Sequence, residues 1–392
     1  MFQRLTIPLC LIAIAIGLLL GFSGIRLPDL PFPTQLYAVL KLGSYWPSFA
    51  VSLMIVLTLL FSSVWIGVAT HELGHFIAGS LANFEAQMFV VGRFSWQRIG
   101  TRWMFEFLRS SPINGFYYGT PRDGGGLAGR FAFMIAGGVT ANFFIAIFAI
   151  VGLLQVGVRE SWTMDMTALW RMLLTFLFLM NSLLAIFNLV PFWSKGNLKS
   201  DGLQLWRIAR GDPNVPRDMA LLMLIGSARM GVKPRDWEPH LIQVANALED
   251  GSEEFATARF IRFTHFIDRG ETQAAGVALD EAMTRIEHVN EMNRPSFWLE
   301  HANFLALHRN QPEAARRSFD EAAKYPVRPM IRLRVEAAIA FAERDWPGVM
   351  EKASAALEDF KCWGEPPAFA QDDAEELRAL MARAAANGAS TA

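Results

Sequence analysis

The sequence is short of cysteine, short of charge and, over its first half, nearly without histidine. Its two cysteines, Cys10 and Cys362, lie too far apart in sequence and setting to suggest a disulfide framework. Charged residues make up 19%, against about 25% in an ordinary soluble domain. The formal net charge is −1, which gives no basic surface and so no reason to expect nucleic acid as a partner. The missing charge is replaced by apolar residues, 52% of the chain, which argues against disorder and against a simple soluble enzyme. Two domains suit 392 residues better than one, because single cores stop growing near roughly 250–300 residues.

The apolar excess is concentrated. No charge occurs between Arg4 and Arg26, from Leu42 to Thr70, from Phe131 to Val158, or from Met172 to Ser194. About 20 apolar residues cross a bilayer as a helix, so four transmembrane spans are the simplest reading. The first reads as a retained anchor, its apolar stretch being longer than the roughly 7–15 residues of a signal peptide. The short loops differ in charge. Arg93, Arg98, Arg102, Arg109 and Arg122 crowd the connection between the second and third spans, with Arg130 at its edge. The opposite face has Arg26 and Lys41, then Arg159 beside Glu160 and Asp165. The positive-inside rule then puts the arginine-bearing loop and both termini in the cytoplasm.

Within that loop, Trp103–Leu108 and Ile113–Tyr118 are aromatic runs separated by Ser110-Ser-Pro112, the pattern of a β-hairpin. It suits either an interfacial anchor or an exposed edge that holds an extended peptide by strand addition. The expected fold is therefore an α-helical membrane protein with about four spans and a short membrane-associated β-hairpin, followed by a soluble all-α domain.

His71-Glu72-Leu73-Gly74-His75 is an HExxH sequence where the second apolar run ends. At i and i+4 on a helix the two imidazoles share a face and can reach one Zn²⁺, while Glu72 can take a proton from its water. Two histidines and a glutamate beside an apolar span are costly unless they coordinate, pair or line a polar cavity. The other five histidines all lie beyond residue 239. A catalytic zinc needs a third protein ligand and an open position. Glu85 and Glu106 lie in the cytoplasmic loop, and Glu160 and Asp165 face the far side. Asp201 returns after the fourth span to the side of His71, which makes it the best third ligand by topology. Asn142, in Ala136-Gly-Gly-Val-Thr-Ala-Asn142, is an amide within lipid that needs partners, either another helix or a substrate carbonyl.

Three elements together resemble the site-2 protease family of intramembrane zinc metalloproteases: HELGH at 71–75, the Gly137-Gly138…Asn142 segment, and Asn188-x-x-Pro191…Asp201-Gly202. The resemblance covers about residues 46–206. It implies that His71, His75 and Asp201 hold zinc, that Glu72 is the catalytic base, and that Asn142 helps to hold substrate. It also implies cleavage of a membrane protein within or beside the lipid bilayer, as in regulated intramembrane proteolysis. The chain departs from the usual pattern in two places. Gly138 stands where many members have proline. Nine residues separate Pro191 from Asp201, with Ser200 rather than leucine before the aspartate.

After Gly202 charge returns. Ala274-Ala275-x-x-x-Leu279-Asp280-Glu281-Ala282 recurs forty residues later as Ala314-Ala315-x-x-x-Phe319-Asp320-Glu321-Ala322, with a weaker copy near Val349. Helical hairpins repeating at about 34 residues resemble tetratricopeptide repeats, with an insertion at 290–296. Such a solenoid offers a groove for a cytoplasmic protein or peptide. The expected domains are an anchor and external loop at 1–45, a metalloprotease-like membrane core at 46–206, and a cytoplasmic helical domain at 207–392. A bacterial inner membrane suits this layout. Two other readings remain open: a membrane-anchored zinc peptidase whose site lies outside the bilayer, and a non-catalytic scaffold acting through its repeats.

Overall fold

The computed structural model describes residues 46–99, 102–108, 115–156, 166–193, 199–291, 293–361 and 368–391. The expected first span, both cysteines, Arg109, Glu160 and Asp165 lie outside the described residues.

Three helices are long and apolar enough to cross a membrane: α1 (Trp46–Leu81), α2 (Leu127–Val156) and α3 (Met166–Leu189). Uninterrupted apolar runs without internal proline carry each one. Helix α1 does not stop at His71 but continues for ten residues, so the HExxH segment lies inside the apolar helix and not at its end. These helices are inverted in polarity relative to a water-soluble core. Phe61, Trp65 and Ile77 on α1, and Phe144, Phe148 and Leu154 on α2, are exposed, while His71, Glu72, His75, Asn142 and Asn181 are buried. Large exposed apolar surfaces suit lipid rather than water. All three helices pack on one another. Where α1 meets α2, Gly74 and Gly137 face each other so closely that a Cβ on Gly137 would sit 2.5 Å from the Gly74 carbonyl oxygen. Small residues permit this approach, as the glycines of that segment predict.

Between α1 and α2 lies a four-stranded sheet of β1 (Phe84–Val91), β2 (Phe94–Ile99), β3 (Arg102–Phe107) and β4 (Gly115–Pro121), in the order β3-β2-β1-β4. Both aromatic runs are strands, but they do not form the expected hairpin: β3 and β4 are opposite edges. The hairpin is instead β1–β2, antiparallel with Val91 opposite Phe94. Gly92, at φ 60°, supplies the positive φ of its two-residue turn. A loop this short closes at little entropic cost and pairs β2 with β1, while β4 adds to the other edge of β1 and not to β3.

The main division of the chain falls between Gly211 and Asp212, five residues beyond the expected boundary. A short helix, α4 (Asp201–Ala209), ends the first unit. The second unit is helical. It comprises α5 (Val215–Arg229), α6 (Pro239–Ala245), α7 (Glu253–Asp268), α8 (Thr272–Met283), α9 (Arg294–Leu307), α10 (Pro312–Ala323), α11 (Pro329–Ala342), α12 (Trp346–Lys361) and α13 (Ala368–Thr391). Neighbours pair as α7 with α8, α9 with α10 and α11 with α12. The recurring alanine segments fall on α8 and α10, and the weaker copy on α12. Their apolar stripes are buried throughout: Ala275 and Ala282, Ala315 and Ala322, Val349 and Ala356. The stretch 290–296, where an insertion is expected, follows a 3₁₀ turn at Ile286–His288 and overlaps the start of α9 at Arg294.

Candidate metal centre

The helical spacing of four puts His71 and His75 on the inward face of α1, where each is at most 7% exposed. Their Nε2 atoms are 3.1 Å apart. Asp201, the first residue of α4, brings Oδ2 to 3.0 Å from His71 Nε2 and 3.4 Å from His75 Nε2. Among the described residues these three form the one group of histidine, cysteine or acidic side chains arranged to hold a metal. Helix α2 admits the imidazoles only because residue 138 is glycine: a Cβ there would stand 2.5 Å from His75 Nε2 and 2.8 Å from His71 Cε1.

The long path to Asp201 is pinched together on either side of residues 194–198. Trp193 and Lys199 form a β-bridge, and the Ser200 amide donates to the Phe192 carbonyl at 3.1 Å. The Ser200 hydroxyl donates to the Val190 carbonyl at 2.8 Å and accepts from the amides of Phe192 and Leu203, each at 3.1 Å. It thus caps α4 and ties that helix to the end of α3. Gly202 completes the joint, since a Cβ there would overlap the Leu189 carbonyl. The extra residues leave Asp201 in place because the chain before and after them is fastened together.

Hydrogen-bond chemistry decides what these three groups can hold. His75 Nδ1 lies 3.0 Å from the Met134 carbonyl, which can only accept, so Nδ1 carries the proton and a neutral ring leaves Nε2 as a lone pair. His71 Nδ1 lies 2.7 Å from Asn142 Oδ1, with the same consequence. Two nitrogen lone pairs and a buried carboxylate oxygen with no hydrogen-bond donor therefore converge. Ligand atoms about 2.0–2.1 Å from a tetrahedral zinc stand roughly 3.3–3.4 Å from one another, close to the observed triangle. The donor set suits a metal ion such as zinc, with both histidines held from behind as metal-bound histidines generally are.

Glu72 is buried beside the triad and accepts a hydrogen bond from the Tyr117 backbone amide. Strand β4 passes so near that a Cβ on Gly115 would overlap the Glu72 carboxylate. Asn142 is fully buried, and its amide is committed to protein groups: besides His71 it reaches the Gly67 carbonyl at 2.9 Å and Asn181 Oδ1 at 2.8 Å. Glu85 pairs with Arg98 across β1 and β2, and Glu106 lies on the exposed strand β3, so neither joins the triad. Sequence reading does not single out Asn181, a buried amide amid the apolar residues of α3, although an amide within a span is itself a signal. Tyr117, whose ring stacks 6.5 Å from that of His75, and Gly115 stand out in the sequence as parts of an aromatic hairpin or peptide-holding edge, not as neighbours of the metal-binding groups. Comparison of the chain with known protein families, curated proteins and solved structures returns no match.

Proposed function

We propose that the chain is an intramembrane zinc metalloprotease that cleaves a transmembrane or membrane-proximal segment of another membrane protein. The observation that carries this reading is the convergence of the His71, His75 and Asp201 lone pairs inside a bundle of membrane-length helices, with a buried carboxylate beside them. The zinc ion, when bound, would lower the pKa of a coordinated water and polarise a carbonyl. Glu72 serves as general base, taking the proton of the attacking water and returning it to the leaving amine. Its hydrogen bond from the Tyr117 amide holds the carboxylate in place. A substrate helix has satisfied its own backbone bonds and must unwind before attack. As an edge strand lying against Glu72, β4 offers backbone groups to an unwound segment. In this reading the helical hairpins beyond Asp212 form a tetratricopeptide-like cytoplasmic domain that binds a protein or peptide, and the membrane is a bacterial inner membrane.

Purified full-length protein in detergent should contain one zinc per chain and cleave a membrane-spanning substrate in a chelator-sensitive way. Glu72→Gln should abolish cleavage while keeping the metal, and Asp201→Ala should lose both. Full cleavage by Glu72→Gln, or full zinc content in Asp201→Ala, overturns the assignment.

A further inference from the structure

One polar chain in the membrane unit is not used by the reaction just described. It begins at the Leu177 carbonyl of α3, which accepts a hydrogen bond at 2.9 Å from Asn181 Nδ2. A carbonyl can only accept, so this contact fixes which end of the Asn181 amide is nitrogen and turns its oxygen the other way. That oxygen accepts from Asn142 Nδ2 at 2.8 Å, and the Gly67 carbonyl of α1 takes the same nitrogen at 2.9 Å. Two acceptors on one side of Asn142 leave Oδ1 to face His71 Nδ1 at 2.7 Å. Each link dictates the next. The direction is set by two main-chain carbonyls, which cannot reverse, and it ends in a protonated Nδ1 and a free Nε2 on His71.

All the side chains involved are buried, and both amides are fully so. No water competes for these groups, so an unmet partner carries its whole desolvation penalty and the network holds one arrangement. We infer that Asn181 is a positioning residue for the metal: through Asn142 it fixes the tautomer and ring orientation of His71 while touching neither metal nor substrate. The inference rests on the metal centre proposed above and adds α3 to its support. Glycine at 67 belongs to the same device, because a Cβ there would stand 2.7 Å from Leu184 and 3.4 Å from Asn181 Oδ1.

The test is a double-variant cycle on the full-length protein in detergent, read by zinc affinity against a competing chelator and by the visible spectrum of the cobalt-substituted site. Asn181→Leu keeps the volume and removes the amide. It should weaken metal binding about 10–100-fold, the usual effect of losing an outer partner of a ligand, and alter the cobalt spectrum. Asn142→Leu should do at least as much. The double variant should bind no more weakly than Asn142→Leu alone, because the effect of Asn181 passes through Asn142. Should Asn181→Leu fail to fold, Asn181→Ala takes its place in the cycle. Unchanged zinc affinity and cobalt spectrum in the Asn181 variant, or losses that multiply in the double variant, overturn the inference. A parent protein that binds no zinc, or a His71→Ala variant that binds it normally, instead overturns the metal centre itself, so the two failures are distinguishable.

Discussion

At the scale of single residues, the site is as much a matter of missing side chains as of present ones. His71, Glu72 and His75 are legible in the sequence because a local rule, the helical spacing of four, puts both histidines on one face. Asp201 is legible for a different reason: few acidic residues remain once the apolar runs are marked out, and this one returns to the correct side. Ser200 is not legible and Asn181 only as an amide that needs a partner, since what they do depends on groups from other elements. Gly138 belongs with them. It reads as a helix-packing glycine, but its missing Cβ is the space that His71 and His75 occupy. In the proposed zinc site, Gly138→Ala should therefore reduce metal affinity by at least about tenfold while the helical content, followed by far-ultraviolet circular dichroism, stays at the parent level. Equal affinity in the variant would mean that α2 can step back from the imidazoles without cost.

At the scale of elements, the strands were harder to read than the helices. Long apolar runs announce α1, α2 and α3 without reference to their neighbours. A strand declares its partner only through register and turn geometry, and here the aromatic runs drew attention to β3 and β4 while the pairing was decided at Gly92. Placing β4 on an edge against α1 has a consequence for chemistry, because Gly115 abuts the carboxylate of Glu72 and not the metal-binding triad. Gly115→Val should displace strand and carboxylate relative to each other. In the proposed reaction this lowers cleavage at least about a hundredfold, the low end for loss of a positioned general base, and leaves zinc content at one per chain. Metal analysis and a cleavage assay on one preparation separate the two. Loss of zinc along with activity would show that β4 supports the metal centre as a whole.

At the scale of the whole molecule, two units follow opposite rules of polarity. The membrane unit turns apolar side chains outward and keeps its few polar groups inside, whereas the helical unit buries alanine stripes and carries its charge mostly outside. Composition along the chain made that contrast legible, but not the polar cluster that the helical unit encloses. Arg334 of α11 is buried and meets Glu300 of α9 together with Asp373 and Glu376 of α13, the last two at 2.7 and 3.4 Å. One guanidinium thus serves three carboxylates. Burial, reinforced by Glu300 and Glu376 against the pull of Arg334, pushes the Asp373 carboxyl up to about 6. Between about pH 4 and 6 the folded chain then keeps a proton that the unfolded chain has released. This contribution favours folding at the acid end and is lost as the pH rises through 6. Asp373→Asn imitates the protonated form at every pH. Its urea midpoint minus that of the parent, measured on the full chain in detergent, should therefore rise between about pH 4.5 and 7. A difference that stays flat or falls would mean that Arg334 satisfies Asp373 fully and that the charge excess is carried by Glu300 and Glu376.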